Sequence, residues 1–124
     1  MDRLPIHVSM LTHSQRERWD EFVHRCPQAT FFHLSAWQDI LDQVFDHRPI
    51  FGHALTSQPF CVYGGIAADV DAGPDVIHEL ESKAETIARA LGVKHLEYRN
   101  LQLRHDDWPR QDLYVTFRKE ILPD

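Results

Sequence analysis

Nine histidines, two cysteines and the Gly64-Gly65 pair are the residues of this 124-residue chain whose types could carry chemistry. Histidine is the commonest metal ligand, but a metal needs several ligands brought to one side of an element. His24 and Cys26 stand two apart on a predicted helix and so point to different faces, and there is no CxxC, HxxxH or HExxH pair. No metal site is expected. A nucleophile would need a neighbouring base. Cys61 sits mid-strand between Phe60 and Val62, the setting of a packed thiol, and no GxSxG elbow occurs. The acids of HELESKAE, 78–85, fall on the solvent side of a predicted helix, with Glu79 four residues before Lys83 as a charge pair. GxGxxG and GxxxxGK are absent, and Gly64-Gly65 leads towards Asp71 and Asp75, which would repel a phosphate. Two readings of the glycines stay open. They release a buried strand into a turn with positive φ at one position, or they let a ligand approach the strand end beside HLEYRN.

The elements that must position these residues follow from periodicity. Residues 5–11, PIHVSML, alternate loosely and predict a strand. Ser14 and Glu17 form a capping-box pattern, Trp19, Phe22, Val23 and Cys26 make one helical stripe, and Pro27 stops the helix. Ser35 caps a second helix whose Ala36, Trp37, Ile40, Leu41, Val44 and Phe45 form a broad apolar face, ended by Pro49. Residues 50–58 are ambiguous between strand and loop, and FCVYGG, 60–65, is the expected buried strand. Pro74 near the start and Gly92 at the stop bound the longest helix, with Val76, Ile77, Leu80, Ala84, Ile87, Ala88 and Leu91 as its core stripe. VKHLEYRN then alternates as a strand, with Leu96 and Tyr98 opposite His95, Glu97 and Arg99, and strand–helix–strand predicts two parallel neighbours joined by a right-handed crossover. A polar loop and a last strand, DLYVTFRKEI, close the order β-α-α-β-α-β-β, an α/β mixed sheet.

Composition bounds what this unit can be. The length suits a single domain over 1–124, and 43% apolar with 26% charged residues is globular. Thirteen basic residues against nineteen acidic give −6, with Lys and Arg scattered, so a nucleic-acid partner is not expected. Cys26 and Cys61 read as buried thiols. The opening MDRLPIHVSML lacks an apolar leader, and no run nears the ~20 residues of a membrane span, so a cytoplasmic, soluble chain is the expectation.

WDEFVHRCPQATFFHLSAWQDILDQVFDHRP, PFCVYGGIAAD, ALGVKHLEYRN and WPRQDLYVTFRKEI occur in that order and cover most of the chain. Together they resemble the first half of FemAB-like proteins, in particular those associated with exosortase and PEP-CTERM exopolysaccharide systems. The resemblance implies a GNAT-type (N-acyltransferase) domain and transfer of an aminoacyl or acyl group onto a peptidoglycan or exopolysaccharide precursor of the cell envelope. Relative to that family, about two strands after His47-Arg48-Pro49 and the whole second half are lacking. Carried over residue by residue, the resemblance implies a cleft between FCVYGG and HLEYRN. In it Tyr63 is the proton donor and Glu97 the base, and Gly64, Gly65, Arg99, Asn100 and Tyr114 contact substrate. ADVDAGPD does not match the acyl-CoA turn, so no cofactor is implied. A plainer reading makes Glu97 and Arg99 a surface charge pair. The missing strands imply an exposed sheet edge, completed by a second GNAT-like chain or a second copy. Three functions follow: an incomplete transferase domain, a non-catalytic binding or partner module, and a degenerate fragment of that family.

Overall fold

The computed structural model of the chain describes residues 5–45, 50–51, 54–56, 64–100, 102–111 and 119–121. Residues 5–11 form no strand: Ile6, Met10 and Leu11 are exposed, and among the described residues no neighbour pairs with them. Alternation suits a pleat, but a strand exists only where its backbone groups find a ladder. The chain instead enters a 3-10 turn at His13–Gln15, where Gln15 Oε1 accepts the Thr12 N–H at 3.1 Å. Reciprocal capping thus falls at Thr12 and Gln15, while Ser14 lies inside the turn.

Helix α1, Arg16–Arg25, carries part of the expected stripe: Val23 and the following Cys26 are buried and Phe22 is half-buried, while Trp19 is exposed with its Nε1 donating to His33 O at 2.6 Å. A second 3-10 turn, Phe31–His33, leads into α2, Ser35–Phe45. Phe31 and Phe32 meet Trp37 edge-on, with centroids 5.5 and 5.1 Å away. The broad face expected of α2 is only half used, since Leu41 is buried while Ile40 and Val44 are exposed.

Strands β1, Ile50–Phe51, and β2, Ala54–Thr56, pair antiparallel, and β2 pairs in parallel with β3, His95–Glu97, in register Ala54↔His95, Leu55↔Leu96 and Thr56↔Glu97. Between β2 and β3 runs α3, Pro74–Leu91. Its ends are those its residues dictate. Pro74 occupies the first turn, where a missing N–H costs nothing. Gly92 takes φ +66°, so that its N–H reaches Arg89 O at 3.1 Å and Val93 N–H reaches Ala88 O at 3.2 Å.

These elements correct the expected architecture. Helices of 10, 11 and 18 residues dominate, against strands of two and three residues. A mixed sheet of GNAT type is not supported. The described order is α1-α2-β1-β2-α3-β3. A parallel neighbour for HLE does exist, but it comes from Ala54–Thr56 in the segment whose reading was ambiguous. Residues 60–63 of the expected central strand and most of the last strand lie outside the described residues. Among the described residues, no helix is long and apolar enough to cross a membrane.

Candidate functional site: a cleft at the Gly65–Asn100 contact

Pro27 ends α1, and the chain turns there through Ala29 N–H to Cys26 O at 3.1 Å. This turn and the following 3-10 turn form one wall of a cleft. Gly65 and Ile66 make its floor, and their segment, 64–68, is fastened across to that wall by three bonds. His33 Nε2 meets Gly65 O at 2.8 Å, Gln28 Oε1 accepts Ala68 N–H at 3.2 Å, and Cys26 Sγ donates to Ala68 O at 3.4 Å. The other wall begins where Gly64 N–H donates to Arg99 O at 2.9 Å, and continues through Asn100, Gln102 and Arg104. The cleft, open on one side, has a volume of about 210 Å³. That is below the ~300–1,000 Å³ of pockets for drug-sized ligands and leaves room for about one ring.

His33 is fully committed in this arrangement. Its ring is buried, Nδ1 accepts the Thr30 N–H at 2.9 Å, and Nε2 therefore carries the proton donated to Gly65 O. The imidazole is a fastener between turn and floor, with no lone pair left to take a proton from a bound molecule. Asn100 is the opposite case: its amide makes no hydrogen bond among the described residues, and Oδ1 is buried without a donor. It lies so close over Gly65 that a Cβ there would stand 2.9 Å from Asn100 Cγ and 3.0 Å from Asn100 Cα. Close approach requires a glycine at 65, and the neighbour it admits is a side chain of the same protein.

The residues expected to carry chemistry divide accordingly. Gly65 and Asn100 line the cleft. Gly64 is buried beside it through its bond to Arg99 O. Glu97 and Arg99 are absent from the walls, and Arg99 Nε donates to Glu97 Oε1 at 2.8 Å with both side chains partly exposed. The plainer reading of a surface charge pair describes this contact. Tyr63 and Tyr114 lie outside the described residues, as does Cys61. Sequence reasoning missed Gln28, Thr30, His33, Gln102 and Arg104. Only the polar PQAT turn after a helix-ending proline hinted at the first two, and nothing periodic marks the last two.

The loop carrying Gln102 and Arg104 is itself held from behind. His105 Nε2 lies 2.9 Å from Glu81 Oε1 on α3, and the ring stacks on Trp108 at 4.4 Å with 15° between planes. Glu81 is buried on the inner stripe of α3, which corrects the expected solvent-facing row of acids. The Glu79–Lys83 pair does not form, and Glu85 with Arg89 makes the i to i+4 pair at 3.5 Å. Tyr98 approaches Trp108 at 6.0 Å between centroids. Burial, with Glu81 and Glu85 adding repulsion, pushes its phenol up to about 12 from 10.0. A raised value means the folded state keeps the proton, so this contribution is complete below 10 and is lost as pH climbs through 12. Among the described residues the buried Tyr98 hydroxyl has no hydrogen-bond partner. Tyr98→Phe is therefore expected to raise stability by up to about 1 kcal/mol in urea denaturation. Loss of more than that would show that the hydroxyl is satisfied.

Among the described residues, no group of three His, Cys, Asp or Glu side chains is placed to hold a metal ion. Comparison of the chain with protein-family models, with curated proteins and with solved structures gives no match.

Proposed function

We propose that this chain is a binding module that holds a small polar ligand in the Gly65–Asn100 cleft, keeping segments that resemble a FemAB-like protein without acting as a self-contained transferase. The observation that carries this reading is the cleft itself, a one-ring cavity whose walls present amides, a threonine and a guanidinium. Its only histidine has both nitrogens engaged within the protein, and Glu97 is tied to Arg99 away from the walls. That leaves the described walls without a group to serve as general base. Asn100 Oδ1 is buried against Gly65 and lacks a donor among the described residues, which costs about 1–3 kcal/mol while it stays unsatisfied, and rotation of the amide off Gly65 would present it to an incoming hydroxyl or amine.

Calorimetric titration of the full chain with neutral sugars, sugar acids, sugar phosphates and amino acids tests this. At least one of these classes is expected to saturate with a Kd near or below the order of 1 mM. Gly65→Val, which fills the floor, is expected to abolish the binding. Incubation with aminoacyl-tRNA and a lipid-linked precursor is expected to yield no transfer. Absence of any saturable binding would sink the module reading, and transfer by the chain alone would restore the enzymatic one.

A further inference from the structure

We infer that the cleft selects a hydroxylated anion of single-ring size, a sugar carboxylate or sugar phosphate, with Arg104 reading the charge. This rests on the binding-module reading above and adds a ligand class to it. Three amide-bearing residues, Gln28, Asn100 and Gln102, line the walls together with Thr30, whose hydroxyl lies 3.1 Å from His33 Nδ1. An amide offers a donor and an acceptor side by side, the complement of a hydroxyl that both gives and takes a hydrogen bond. Gln28 spends its oxygen on Ala68 N–H and keeps its NH₂, while Asn100 and Gln102 form no hydrogen bond among the described residues. Ring hydroxyls are the groups that use such a set with few left over.

The charge argument is independent of the amides. Among the described residues no Asp or Glu contributes to the walls, although the chain as a whole carries −6. Among the described residues Arg104 is the one cation of the walls, and it makes no ion pair or hydrogen bond with any of them. The acids nearest in sequence, Asp106 and Asp107, occupy the exposed turn that follows and do not line the cleft. A guanidinium presents a planar fork that matches the two oxygens of a carboxylate or phosphate. The backbone beneath Arg104 is not loose. The next residue, His105, is held by Glu81 at 2.9 Å and by the Trp108 ring, which fixes the start of the guanidinium arm relative to the floor.

Titration of the full chain with glucuronate, glucose 6-phosphate and glucose at low salt tests this. At least one of the two anions is expected to bind about tenfold or more tightly than glucose, and which one identifies the anionic group. The preference is expected to shrink in high salt, where an exposed ion pair is screened. Arg104→Gln is expected to abolish the preference for the anion over glucose, and Arg104→Lys to keep part of it. Because Arg104 is exposed, a thermal melt of each variant is expected to match that of the parent. Equal binding of all three sugars would overturn the charge assignment while leaving a working cleft. An anion preference that survives Arg104→Gln would overturn the role of Arg104. Binding of amino acids with none of the sugars would overturn the ligand class, and silence across all probes would remove the cleft reading on which this one stands.

Discussion

Alanine at position 65 lowers the stability of the chain by about 1–3 kcal/mol, the range for forcing one extra carbon into a filled space. The added Cβ would lie 2.9 Å from Asn100 Cγ and 3.0 Å from Asn100 Cα. A side-chain carbon can swing away, but a backbone carbon moves only with its segment. That segment is tied at the preceding residue by Gly64 N–H to Arg99 O at 2.9 Å, and Gly65 O is held by His33 at 2.8 Å. Strain is therefore expected to appear as lost stability and as a distorted cleft together. Urea denaturation with two companions reads the cause. Asn100→Ala removes Cγ and Oδ1 but leaves Cα, so the double variant Gly65→Ala/Asn100→Ala is expected to be less destabilised than the sum of the single variants. Gly92→Ala supplies the contrast. A Cβ at Gly92 meets nothing within 4 Å, and only its φ of +66° is at stake, so the cost is about 1 kcal/mol from backbone alone. Strict additivity at 65 and 100 would mean that the glycine is needed for some other reason.

Asp20→Ala is expected to cost about 1.5–3 kcal/mol, because it strips two charge-assisted bonds from the start of a neighbouring helix. Asp20, on α1, accepts the Ser35 N–H at 2.8 Å and the Ser35 Oγ–H at 2.6 Å. Ser35 is buried, so losing the carboxylate leaves two donors without water to replace it. Arg16, one turn before Asp20, donates to Ser35 O at 2.8 Å and to Asp39 Oδ2 at 2.5 Å, completing the link between α1 and α2. The side-chain and backbone bonds from Ser35 hold the Asp20 carboxyl below its ordinary 3.8. A depressed value means that the contribution is fully present above 3.8 and is lost as pH falls through the lower folded-state value. Asp39 titrates in the same direction, its first cause being the hydrogen bond from Arg16. The stability difference between parent and Asp20→Asn is thus expected to be largest near neutrality and to shrink in acid below 3.8. A difference that grows on acidification would have the wrong sign for this account.

How much of this was legible follows from where each cause lies. The ends of α3 could be read because Pro74 and Gly92 act on their own backbone. Position 35 was recognisable as a helix start, but the group that satisfies it comes from Asp20, fifteen residues earlier on another helix, and no local pattern carries that. Residues 5–11 alternate as a strand should and form none, since a ladder partner is a property of the fold. Glu81 was assigned to solvent on its charge, whereas its spacing from Ile77 and Ala88 places it on the inner stripe, where His105 compensates it. At the site, Gly65 and Asn100 were both singled out and do meet, while Glu97 and Arg99 meet each other instead. Thr30, His33, Gln102 and Arg104 come from turns and loops, whose side chains follow no period.

Backbone amide chemical-shift mapping of the full chain during titration with glucuronate, glucose 6-phosphate and glucose tests the central claim most directly. The account predicts saturable shifts concentrated at Thr30, His33, Gly65, Ile66, Asn100 and Gln102, with α3 and the N-terminal segment unmoved. Titrations in which none of the three moves those amides, or in which the shifts gather on another surface, would contradict it.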